Sequence, residues 1–175
     1  MSNRLAVVCD CVNLLHAALL RDERQPDEDW YERGVRFAED IHDRNGKAQL
    51  QLVHGMLDLR SGATVEALDE IAEALRVLRA SGSARLMLEA LPLVAEACVR
   101  LGDDRLAAQI FGATSRMGFG ADRFAWYRGK RQARALEKKV HTRLGEGEFA
   151  RFTMLGAHQS IEQSIGAVLE LVADA

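Results

Sequence analysis

Two stretches of this chain carry small residues at the same spacing, and that spacing restricts the fold more than any other feature. Gly55, Gly62, Ala67, Ile71 and Ala74 stand at offsets 0, 7, 12, 16 and 19. Ala95, Gly102, Ala107, Phe111 and Thr114 repeat those offsets. Small residues recur this way where two helices cross without room for a side chain, and the larger residue at offset 16 fills the gap to the next pair. The pattern predicts helical hairpins that nest closely, and a protein that works as a scaffold.

Composition agrees with stacked helices. Apolar residues make up 48% of the chain, aromatics only 6%, and the two prolines are Pro26 and Pro92. Alanine, leucine, arginine and glutamate favour helices that approach closely, whereas a sheet would want Val, Ile and Thr. The 175 residues suffice for one domain with a sizeable core. A net charge of −3 argues against a surface that tracks phosphate throughout. Cys9 and Cys11 fall on nearly opposite faces of a helix and Cys98 is remote, so the three thiols read as reduced in a cytosol and buried as small apolar groups. The apolar run from Ala6 to Leu20 is interrupted by Asp10, Asn13 and His16 and is too short for a membrane span. A cytoplasmic location is therefore expected.

Periodicity divides the chain as follows. Arg4 to Leu20 forms a first amphipathic helix, and Asp27 caps a second that ends at Asn45-Gly46 in a left-handed turn. Lys47 to Arg60 is the third helix, closed by Ser61-Gly62, and Thr64 caps the fourth. Ala84 to Leu101 is kinked or split by Pro92, and Arg105 to Met117 is its hairpin partner. After Gly118-Phe119-Gly120, a long basic helix spans Asp122 to Leu144, a short one Glu148 to Leu155, and Ser160 caps a terminal helix through Leu171. The expected architecture is all-α: stacked antiparallel hairpins in a tetratricopeptide-like superhelix of about eight or nine helices, with no strand. Residues 1–175 form one helical-repeat domain, with hairpins in 1–118 and a helical cap in 119–175.

Three segments carry a family resemblance. Gly102-Asp103-Asp104-Arg105-Leu106-Ala107-Ala108-Gln109-Ile110-Phe111-Gly112-Ala113 resembles a "G, any two, R, any, A, A, any, L, hydrophobic, G, A" element near the C-terminus of LuxR/AfsR-type bacterial ATPase regulators. Leu144-Gly145-Glu146-Gly147-Glu148-Phe149 and Gly156-Ala157-His158-Gln159-Ser160-Ile161-Glu162-Gln163-Ser164-Ile165 resemble two further elements in the same order. The likeness covers about Gly102 to Val172. It departs from the pattern at Ser164, where alanine is usual, and at Met154-Leu155, which replaces a more polar stretch. The resemblance implies a sensor or protein-interaction module beside an ATPase core and a DNA-binding domain, and it carries over no catalytic residue. This chain shows no phosphate-binding loop, because Gly129-Lys130 is followed by Arg131 and Phe124 stands where the first glycine belongs.

In a hairpin stack the first helix of each pair lines a concave face, which places Gln49, Leu52, Met56 and Leu59 on a groove for a partner helix or peptide, unless the terminal helix fills it. Arg123, Arg128, Lys130 and Arg131, with Trp126 and Tyr127 among them, form a basic stretch that could neutralise an anionic partner; the plainer reading is a solvated face. Glu39 and His42 share the Glu-x-x-His spacing of carboxylate-bridged metal bundles, but no second such motif exists, and a solvated helix end is favoured. His54, beside Gly55, lines a groove or, as is more usual, is a hydrogen-bonded core or rim histidine. No catalytic residue, cofactor or metal set is expected. The leading expectation is a non-catalytic module that binds a protein, a peptide or an effector in bacterial transcriptional control, with self-association open. A nucleic-acid-associated helical protein and a small helical metal protein are the rivals.

Overall fold

A computed structural model describes residues 2–20, 28–118 and 130–173. These residues form nine α-helices and no strand: α1 (Ser2–Leu20), α2 (Glu28–Asp40), α3 (Arg44–Ser61), α4 (Thr64–Ala80), α5 (Ala84–Leu101), α6 (Asp104–Arg116), α7 (Lys130–Leu144), α8 (Glu146–Ala157) and α9 (Ile161–Ala173). The all-α hairpin class expected from the sequence is thus the class observed. The chain divides into two compact units, Met1–Leu86 and Met87–Ala175. The change of sequence character after residue 118 falls inside the second unit.

In the first unit α3 is the central helix, packed against α1, α2 and α4. Its apolar surface is broad, and Leu50, Leu52, Val53, Met56, Leu57 and Leu59 are all buried. Gly34 of α2 sits where an added Cβ would lie 2.9 Å from Cys11 Cβ and from both Leu50 methyls, so α2 settles onto α1 and α3 together. The α3–α4 hairpin obeys the small-residue register. A Cβ on Gly55 would come within 2.9 Å of Ile71 Cγ1 and 3.2 Å of the Ala67 carbonyl oxygen, which are the offset-16 and offset-12 positions. Gly62, at offset 7, closes α3 at φ +100, a conformation that L side chains rarely adopt, and its N–H donates to the Asp58 carbonyl.

Two helix ends differ from expectation. The left-handed residue after α2 is His42, with φ 57, and not Gly46. Asp43 starts α3 instead, its carboxylate accepting the Gly46 N–H at 2.9 Å, so Asn45 and Gly46 belong to the first helical turn. Thr64 is the first residue of α4 rather than its cap; Ala63 holds the cap position and makes no side-chain bond. Asp27 lies outside the described residues.

In the second unit α5 runs unbroken through Pro92, and every residue from Ala90 to Val99 is buried. Gly102 turns the chain at φ +89, matching Gly62 in the first register, and Asp103 caps α6 by accepting the Leu106 N–H at 3.0 Å. Ala95, Ala107, Phe111 and Thr114 of the second register are all buried. Around α6 pack α7, α8 and α9. The tightest approach is to α8. A Cβ on Gly112 would fall 1.9 Å from the Thr153 carbonyl oxygen, and one on Gly156 would fall 1.8 Å from the Gln109 carbonyl oxygen. The two helices therefore touch backbone to backbone, each through its own glycine. Ser160 and Gln163 open α9 with a reciprocal capping box: the Ser160 N–H donates to Gln163 Oε1 at 2.8 Å and the Gln163 N–H to Ser160 Oγ at 3.2 Å.

Candidate functional site

The close α3–α4 crossing brings together a polar cluster that spans three helices of the first unit. His54 and Asp58 lie one turn apart on α3, so their side chains emerge on the same face. Gly55, next to His54, lets α4 approach at Ile71, and the residue beside Ile71 is Glu70. Glu70 Oε2 consequently stands 2.7 Å from His54 Nδ1, and Asp58 Oδ2 stands 3.5 Å from the same nitrogen. From α2, Tyr31 donates its hydroxyl to Glu70 Oε1 at 3.0 Å. Its ring lies parallel to the His54 imidazole, with centroids 4.1 Å apart and an interplanar angle of 15°.

The cluster is only partly buried. The side chains of His54, Asp58 and Glu70 keep 20%, 24% and 26% of their surface exposed. One ligand-competent atom from each of the three lies within 4.8 Å of the others. Burial, with the charge and hydrogen bond of Glu70 and a smaller contribution from Asp58, raises the Tyr31 pKa, so its hydroxyl stays protonated and keeps donating to Glu70. Such an arrangement can hold an imidazole in one orientation and can offer three converging donors to a cation.

The residues singled out in the sequence fare differently. The groove reading is corrected for Leu52, Met56 and Leu59, which are 4%, 2% and 0% exposed and belong to the core. The reason is that α3 has neighbours on three sides, so its apolar residues meet other helices rather than a concave open face. Gln49 is half-buried. Arg123, Arg128, Trp126 and Tyr127 lie outside the described residues; Lys130 is the first residue of α7, and Arg131 is exposed.

The far end of the basic helix serves its own unit. Arg143 donates to Asp104 Oδ1 and to the Val99 carbonyl, both at 3.1 Å, and His141 Nε2 lies 3.0 Å from Glu146 Oε2. Glu39 and His42 share no helix face, because α2 ends at Asp40 and His42 turns away at φ 57, while Glu39 is engaged by Lys47 at 2.6 Å. Among the described residues, the group of His, Cys, Asp and Glu able to surround an ion is His54, Asp58 and Glu70.

Sequence reasoning noticed His54 but passed over Asp58, Glu70 and Tyr31. Two signals were present: the His-x-x-x-Asp spacing on α3, and a register that sets Gly55 against Ile71 and so carries Glu70 with it. Tyr31 left no such signal, since its place depends on how α2 seats over α3. No known protein family, characterised protein or solved structure matches this chain.

Proposed function

We propose that this chain is a non-catalytic helical-repeat module that binds a protein partner or an effector, in the setting of bacterial transcriptional or signalling control. One observation carries the reading: the three segments that resemble LuxR/AfsR-type regulators pack against one another. Gly156 of the third packs against the Gln109 backbone of the first at the α6–α8 crossing. Arg105 of the first pairs with Glu148 of the second at 3.3 Å, and Gln159 of the third donates to Gln109 of the first at 3.3 Å. Spaced motifs that depend on each other in space behave as one unit, which is what a docking or sensing module requires.

With Leu52, Met56 and Leu59 in the core, the partner surface lies elsewhere in this reading. Among the described residues, Met154 and Leu155 are adjacent, large and apolar, and they remain 63% and 47% exposed on α8. They also mark one of the places where the chain departs from the family pattern. The partner envisaged is a regulator that carries an ATPase or DNA-binding domain.

The test is cross-linking of the tagged full chain in its native host, followed by identification of what is bound. A regulator of that class, bound by the wild type and released by a Met154→Glu, Leu155→Glu double variant, supports the reading. Nucleotide hydrolysis by the purified chain that a single substitution abolishes would overturn it.

A further inference from the structure

His54, Asp58 and Glu70 are more than a hydrogen-bonded histidine and its acceptors. Nδ1 carries at most one proton, and Glu70 at 2.7 Å is placed to accept it. Asp58, at 3.5 Å from the same nitrogen, stands beyond hydrogen-bond range of it. The fold thus brings one imidazole nitrogen and a carboxylate oxygen from each of two helices to one point. A dication at that point would engage all three groups.

We propose that His54, Asp58 and Glu70 form a binding site for one divalent transition-metal ion of the zinc type. The ion would be held by His54 Nδ1 and by one carboxylate oxygen each from Asp58 and Glu70, with water completing the shell.

Geometry, charge and donor chemistry agree. Tetrahedral ligands at about 2.0–2.1 Å from zinc stand about 3.3 Å apart. The present separations from Nδ1, 2.7 and 3.5 Å, bracket that spacing, and all three donor atoms fall within 4.8 Å of one another. A neutral imidazole and two carboxylates balance a dication. The nitrogen donor selects borderline transition metals over magnesium and calcium, which prefer all-oxygen shells. The remaining exposure of the three side chains leaves a path for the ion and room for water.

Tyr31 completes the arrangement as a positioning residue. Its hydroxyl occupies Glu70 Oε1 and leaves Oε2 facing the histidine, and its ring fixes the imidazole plane by stacking. All four residues project from helix bodies, which hold ligands more firmly than loops do.

The experiment is a titration of the chelator-stripped full chain with Zn²⁺ and with Co²⁺. One ion per chain is expected, with visible d–d absorption from Co²⁺ and no competition from excess Mg²⁺. His54→Gln, Asp58→Asn and Glu70→Gln should each weaken Zn²⁺ binding by about 10–100-fold or more, and Tyr31→Phe by about 10-fold, while helicity is retained. Should His54→Gln impair folding, the two near-isosteric amide variants decide the matter, and ¹⁵N shifts of the wild-type imidazoles show directly whether a ring nitrogen of His54 takes the ion. Absence of Co²⁺ bands and of stoichiometric Zn²⁺ uptake overturns the proposal. So does affinity unchanged in folded Asp58→Asn and Glu70→Gln, which would place the ion elsewhere.

Discussion

The α3–α4 crossing of the first unit and the α6–α8 crossing of the second both rely on glycine, yet glycine does different work in each. At Gly55 the missing Cβ makes room chiefly for a side chain, Ile71 Cγ1 at 2.9 Å, with the Ala67 backbone a little farther off at 3.2 Å. At Gly112 and Gly156 it makes room for the backbone of the opposite helix, at 1.9 and 1.8 Å from where a Cβ would stand. A side chain can rotate by a few tenths of an ångström; a helical carbonyl cannot give by more than one. The first unit is therefore held by interlocked side chains and suffers from lost volume. The second is held by backbone contact and suffers from added volume.

That contrast can be broken most sharply by removing volume from α3. Leu59→Ala should destabilise the first unit by about 2–5 kcal/mol in urea unfolding followed by circular dichroism, because Leu59 is fully buried. A loss below about 0.5 kcal/mol, normal for a surface position, would restore the groove reading of this residue.

Adding one methyl group to the second unit comes next. Gly112→Ala and Gly156→Ala should each cost about 3 kcal/mol, the upper end of overpacking, since α6 and α8 must separate to admit the group. Near-wild-type melting of both variants would show that the backbones do not touch.

Gly55→Ala should cost only about 1 kcal/mol. The strain against Ile71 is partly offset by the better helix propensity of alanine, itself worth about 1 kcal/mol. Gly166 supplies the control within the second unit. It lies inside α9 with nothing within 4 Å of an added Cβ, so Gly166→Ala should stabilise by about 0.5–1 kcal/mol. A destabilisation equal to that of Gly112→Ala would refute the distinction between contact and non-contact glycines.

The smallest effect is chemical. Cys9 is exposed, whereas Cys11 and Cys98 are 1% and 0% exposed, and burial is the main cause that pushes the Cys98 thiol up to about 12. A thiol reagent at pH 8 should modify one cysteine quickly in the native protein and three after denaturation. Rapid reaction at Cys98 would mean that the second unit opens readily.

Much of the scaffold was legible because it rests on short-range pattern. The spacing of Gly55, Ala67 and Ile71 named the residues that meet at the α3–α4 crossing. The expectation of three buried thiols holds for Cys11 and Cys98 and fails at Cys9, which the separation of two along one helix turns to the exposed side. The apolar breadth of α3 was equally visible. Its meaning was not, because a strip of leucines reads alike whether it faces an open groove or a third neighbour. Leu52, Met56 and Leu59 were misassigned for that reason.

What the linear order of residues determined, then, is the helical class, the turns at Gly62 and Gly102, and the small residues that permit close crossings. All of these depend on local conformation and on periodicities of a few residues. Only the tertiary structure decided that α3 is packed against α1, α2 and α4, that Gly112 meets Thr153 and Gly156 meets Gln109, and that Tyr31, His54, Asp58 and Glu70 converge. Those facts depend on how helices seat against one another. Seating is a balance of shape and burial summed over many side chains, and no single spacing along the chain records it.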